Sequence, residues 1–136
     1  MAFPIAIVSS KNKGYPKLLK QIHNPPEQLY CRGNLSLLET FSLGVVGTRK
    51  ITSYGKEVVE MLIRDLSDTG WTITSGLALG VDAIAHRSAL DNGLPTIAVL
   101  GSGVDDMSIH PRTNYSLGQD ILKNNGLIIY EYPAGF

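Results

Sequence analysis

From Leu43 onward one unit repeats. A short apolar run leads into a polar or glycine-bearing loop, then a helical stretch, then a polar residue followed by glycine. The runs are Leu43-Gly44-Val45-Val46, Trp71-Thr72-Ile73-Thr74, Thr96-Ile97-Ala98-Val99-Leu100 and Leu127-Ile128-Ile129-Tyr130. Four or five consecutive apolar or β-branched residues suit strands covered on both faces, as parallel sheets require. The helices between them have marked ends. Thr52 or Ser53 can cap the first, and Tyr54, Val58, Met61, Leu62 and Leu66 then form an apolar stripe at helical spacing. Thr69-Gly70, Asn92-Gly93 and Asn125-Gly126 are left-handed stops placed just before the next run. The order β-α-β-α-β-α-β predicts a parallel sheet with right-handed crossovers.

Upstream the pattern changes. Residues 1–42 carry Tyr15-Pro16, Pro25-Pro26 and Gly33-Asn34, which signal turns and extended chain, with a short helical pattern at Leu18, Leu19 and Ile22. Ser36 to Phe41 reads as a helical turn. The expected organisation is an appendage, residues 1–42, packed on an α/β domain of residues 43–136.

Bulk properties narrow the function classes. A chain of 136 residues suits one domain, and 43% hydrophobic with 18% charged residues is a globular balance. The apolar run Ala6–Val8 lacks a basic flank and is too short for a signal segment or a membrane span. The single cysteine, Cys31, excludes an internal disulfide and a cysteine-based zinc site. His23, His86 and His110 have no zinc spacing, so neither a metal nor a cofactor is expected. A reducing cytoplasm is the expected compartment. Net charge is zero, but residues 1–42 hold five basic and two acidic groups while the remainder holds seven and ten. A polyanion site must therefore be a local patch.

In open parallel sheets, ligands bind beyond the carboxyl ends of the strands, where strand order reverses. The first strand of the repeat delivers Gly47, Thr48, Arg49 and Lys50 there, and the second delivers Ser75, Gly76 and, further on, Gly80. The third delivers Gly101, Ser102 and Gly103, with Arg112 and Asn114 following before the last helix. Glycines permit close backbone approach, helix N-termini attract phosphate, and arginine can clamp a phosphate with two hydrogen bonds. Neither a dinucleotide fingerprint nor a P-loop is present. Asp82 and His86 stand at i and i+4. One reading is an acid/base pair. The plainer one is an aspartate favoured by the helix dipole with the histidine bonded to it, shaping the pocket. No nucleophile stands in a recognisable arrangement nearby, so no catalytic residue is expected. Trp71, Tyr15 and Tyr30 read as packing groups rather than base platforms.

These loops also carry a family resemblance. Val45-Val46-Gly47-Thr48-Arg49-Lys50 with Thr52, Tyr54 and Gly55, then Ser75-Gly76-Leu77-Ala78-x-Gly80-Val81-Asp82-x-x-Ala85-His86, resemble the DNA-processing protein A (DprA/Smf) family. So do Thr96–Gly103, His110-Pro111-x-x-Asn114, Glu131-Tyr132-Pro133, and upstream Tyr15-Pro16, Pro25-Pro26 and Tyr30-x-x-Gly33-Asn34. The resemblance implies an α/β, doubly wound, mainly parallel sheet of the extended Rossmann-like type. It implies a cytoplasmic binder rather than an enzyme: a protein that holds single-stranded DNA in a basic pocket, forms a homodimer in its longer natural form, and helps load a RecA-type recombinase in transformation or repair. Arg49 and Lys50 would then meet the phosphate backbone, with the loops at 75–80 and 101–103 shaping the pocket. Leu79 stands where the family usually carries a basic residue. The chain ends at Phe136, before the family's Phe-Pro-x-Arg-Asn-Arg stretch, so the domain is expected to be incomplete at its C-terminal end. Two other classes fit the fold: a nucleotide-processing enzyme of the lysine-decarboxylase-like (LOG) group, whose Pro-Gly-Gly-x-Gly-Thr loop is absent here, and a small-nucleotide sensor.

Overall fold

The apolar runs become strands and the stretches between them become helices. The computed structural model describes residues 3–101 and 114–132. Its elements are β1 (Ala6–Ser9), β2 (Gln28–Gly33), β3 (Ser42–Gly44), α1 (Ser53–Asp65), β4 (Thr72–Ser75), α2 (Val81–Asp91), β5 (Thr96–Val99), α3 (Tyr115–Lys123) and β6 (Leu127–Tyr130). All six strands form one sheet in the order β1-β2-β6-β5-β4-β3. β3, β4, β5 and β6 are parallel, in registers such as Leu43 to Ile73 and Ala98 to Ile128. This is the mainly parallel α/β sheet that the repeat predicts.

The N-terminal segment holds more structure than its turn signals suggest. β1 and β2 extend the same sheet, and β2 pairs antiparallel with β6 through Tyr30 to Tyr130 and Cys31 to Ile129. Short 3-10 turns at Leu19–Gln21 and Leu35–Glu39 complete the segment. Tyr15 is buried, and its hydroxyl donates to the Pro26 carbonyl at 2.5 Å.

Because β3 to β6 are laid down in sequence order, right-handed crossovers place α1, α2 and α3 on one face, where α1 packs on α2 and α2 on α3. Strand alternation then divides the core. Ala98 and Ile128 face α3 through Leu117 and Ile121, while Ile97 and Ile129 face the N-terminal segment through Tyr15 and Leu37. The seat of α1 differs from the predicted stripe. Ile63 is its buried residue, with Val59 and Leu66 beside it against Ile73 and Ala85, whereas Tyr54, Met61 and Leu62 are exposed. Two apolar stripes at helical spacing compete in this sequence, and the one centred on Ile63 meets α2 and β4.

The helix ends follow the punctuation with one change. Gly70 and Gly93 have positive φ, but at the third stop Asn125 takes the left-handed position (φ 66°). Gly126 is instead buried tightly against Ile121. No helix among the described residues is long and apolar enough to cross a membrane.

Candidate nucleic-acid interface

The parallel strands all end at one edge of the sheet, and the loops there are locked to one another. Val45 N–H donates to Thr74 O at 2.9 Å, and the Ser75 hydroxyl donates to Val45 O at 2.6 Å. Val81 N–H, at the start of α2, donates to Thr48 O at 3.0 Å. The loop of Gly47–Lys50 therefore rests on the loop of Ser75–Gly80. Gly80 (φ 77°) makes that contact possible, since a Cβ there would stand only 2.7 Å from the Arg49 backbone and closer still to Thr48 O.

Three buried polar side chains fix the second loop from below. Asp82 Oδ2 accepts Gly76 N–H at 3.0 Å. His86 Nε2 accepts Leu77 N–H at 3.2 Å, holding Leu77 in a left-handed conformation (φ 59°). Asn114 donates through Nδ2 to Leu77 O at 2.9 Å and Ala78 O at 3.1 Å. The other ring nitrogen of His86 pairs with Thr96 Oγ1 at 2.8 Å, and that hydroxyl donates to Ile73 O at 2.7 Å. Thr96 thus accepts from Nδ1–H, and the ring is neutral with its proton on Nδ1. The expected bond between His86 and Asp82 is not formed. Each serves a different stretch of loop backbone, because Asp82 in the first turn points at Gly76 while His86, one turn on, reaches β5. Thr96 and Leu77 give no sequence signal for this role, since their link to His86 exists only after β4 and β5 pair.

Burial drives the His86 pKa down to about 4. In the unfolded chain the ring titrates near 6.5. The neutral ring therefore stabilises the fold fully above about pH 6.5. That contribution is lost as pH falls from there towards 4, by up to about 3 kcal/mol. In denaturant titrations, His86→Gln should be less stable than the parent at pH 7, and the gap should narrow by pH 4.5. A constant gap would show that the ring is not held neutral.

The exposed charged groups lie on the first loop. Gly47, Thr48, Arg49 and Lys50 are all exposed, and Arg49 and Lys50 have no side-chain partner among the described residues. Thr48 Oγ1 accepts Lys50 N–H at 3.1 Å, which turns the chain towards α1. Thr52 caps α1 by accepting Gly55 N–H at 3.0 Å, and no acidic residue stands in that first turn. The N-terminus of α2 differs, because Asp82 already occupies it with negative charge. An anion arriving at this edge is therefore favoured at the first loop and the start of α1. Ser75, Gly76 and Asn114 belong to the supporting frame, with their polar groups turned inward. Gly101 is exposed at the end of β5; Ser102, Gly103 and Arg112 lie outside the described residues. Cys31 is buried, its thiol pushed up to about 11 by burial. No three metal-ligating side chains lie together among the described residues.

The model of a family described as DNA recombination-mediator protein A matches residues 6–136. The chain belongs to this family. It is 36% identical over 130 residues to DNA processing protein DprA of Bacillus subtilis, covering 95% of this chain and 43% of that one. It is 41% identical over 121 residues to DprA of Streptococcus pneumoniae, covering 89% and 42%. This family member therefore spans less than half the length of these relatives. The crystal structure of S. pneumoniae DprA superposes with a TM-score of 0.87 at 37% identity, covering 98% of this chain and 45% of that one. DNA processing protein A of Helicobacter pylori, whose structure addresses its single-stranded DNA binding mode, superposes at 0.84 with 36% identity, covering 98% and 58%. The mixed α/β fold of this chain is thus shared with both DprA structures.

Proposed function

We propose that this chain is the single-stranded DNA-binding part of a cytoplasmic recombination mediator, with no catalytic centre of its own. It would act as a homodimer that helps load a RecA-type recombinase. One observation carries the reading: Arg49 and Lys50 stand exposed and unpaired among the described residues, on a loop fixed by the frame beneath it, at the acid-free start of α1. Gly47, Thr48 and Gly101 are assigned to the same contact surface. Ser75, Gly76, Gly80, Asp82, His86 and Asn114 position it. The H. pylori relative's single-stranded DNA binding supports the ligand class.

The test is anisotropy of a labelled single-stranded oligonucleotide at low salt, with duplex DNA and a deoxynucleoside monophosphate as competitors. Competition by unlabelled single strand, and little by the mononucleotide, is expected. Displacement by the mononucleotide alone would make the protein a small-nucleotide sensor instead. Leu79 adds a gain-of-function check. It is exposed between Ala78 and Gly80, and Gly80 packs against the Arg49 backbone. Leu79→Lys should tighten single-strand binding and steepen its salt dependence by about 0.7 in log–log slope, as one added phosphate contact does.

A further inference from the structure

The sheet edge that carries Arg49 and Lys50 ends, at β6, in aromatic rings. Tyr132 lies just past β6 and is 42% exposed. Its ring centroid is 4.9 Å from that of Tyr130, with the planes inclined by 53°. Tyr130 is half-buried against the helix-side core and pairs across the sheet with Tyr30. One ring is therefore anchored and supports the exposed one. The other aromatic groups differ in place or burial. Tyr15 is buried, and Phe41 and Trp71 contact each other (4.7 Å) at the amino ends of β3 and β4. Tyr54 is exposed in the first turn of α1 and belongs with the phosphate loop.

Between Tyr130 and Tyr132 stands Glu131, which is exposed. Its carboxylate disfavours a phosphate at this end of the edge and leaves the π-face as what a nucleic acid can use. β3 and β6 are three strand positions apart. At about 4.8 Å each that is roughly 14 Å, a distance an extended strand of a few nucleotides covers.

We infer that the Tyr130–Tyr132 pair is a nucleobase-stacking site: the exposed Tyr132 ring takes a base of a strand whose phosphates are held by Arg49 and Lys50. The inference rests on the single-strand reading above and adds a second contact of different chemistry. Stacking carries no phosphate charge, so it contributes affinity without contributing to the salt slope.

The experiment titrates a short and a longer labelled oligothymidylate with the 136-residue chain, its Tyr132→Ala and Tyr132→Phe variants, and Arg49→Ala, each across a salt series. Tyr132→Ala should weaken binding of the longer strand about tenfold, leave the salt slope unchanged, and bring its affinity close to that for the short strand. Tyr132→Phe should bind like the parent. Arg49→Ala should flatten the slope. Weakening by Arg49→Ala with none by Tyr132→Ala overturns the stacking site alone. A flattened slope in Tyr132→Ala also overturns it, because the residue would then be acting on the phosphate loop. No binding by the parent chain overturns the single-strand reading and this inference with it.

Discussion

Gly80→Ala is expected to unfold the loop frame and to cost about 3–5 kcal/mol of stability. Two independent terms make up that figure. Gly80 adopts φ 77° and ψ −127°, a backbone region that only glycine occupies without strain. The added methyl would also press on the backbone of Thr48 and Arg49, where no flexible side chain can move aside. The relief available is to push the Gly47–Lys50 loop away from α2, breaking the bond from Val81 N–H to Thr48 O. The variant should therefore lose DNA binding even in whatever fraction stays folded. Denaturant unfolding monitored by circular dichroism measures the first effect and anisotropy the second. A variant with parental stability would show that the two loops are not in contact.

Replacing Arg49 and Lys50 together by alanine is expected to leave the fold intact and reduce single-strand affinity at least tenfold at low salt. Both side chains are exposed and have no partner among the described residues, so their removal disturbs no packing. Charge-assisted hydrogen bonds to a ligand are worth about 1.5–3 kcal/mol each, and screening by solvent at an open edge puts the loss towards the lower end of that range. Unchanged circular dichroism and thermal midpoint beside the affinity loss would assign the effect to contact with DNA. An affinity equal to the parent's would move the site off the first loop. Together the two variants separate a broken frame from a missing contact.

The legibility of this molecule in its sequence was uneven for physical reasons. Three of the parallel strands, β4 to β6, are readable because a strand covered on both faces must be apolar or β-branched along its length, as Thr96–Val99 and Leu127–Tyr130 are, whereas β3, at the sheet's edge, is exposed throughout. β2 is not readable in the same way. Its run Gln28-Leu29-Tyr30-Cys31-Arg32-Gly33 is mixed, and its pairing partner lies about a hundred residues on in β6. The seat of α1 was ambiguous because apolar residues on two sides of the helix both fit the helical period, and only the positions of α2 and β4 choose between them. At the candidate site, Arg49 and Lys50 were legible because the first strand's end must be followed by the loop that carries them. The inward direction of Ser75, Asp82, His86 and Asn114 was not, since each bonds a backbone group brought near by tertiary folding: Val45 O, Gly76 N–H, Leu77 N–H, and the carbonyls of Leu77 and Ala78.

The salt dependence of single-strand binding shows whether Arg49 and Lys50 hold the DNA phosphates. The logarithm of the association constant is plotted against the logarithm of salt concentration for the parent chain and for the Arg49→Ala, Lys50→Ala double variant. The site described here predicts a line for the parent whose slope is shallower in the variant by about 1.4, at about 0.7 for each lost phosphate contact. Parallel lines would contradict it, because they would mean that neither residue neutralises a phosphate and that the DNA is held elsewhere.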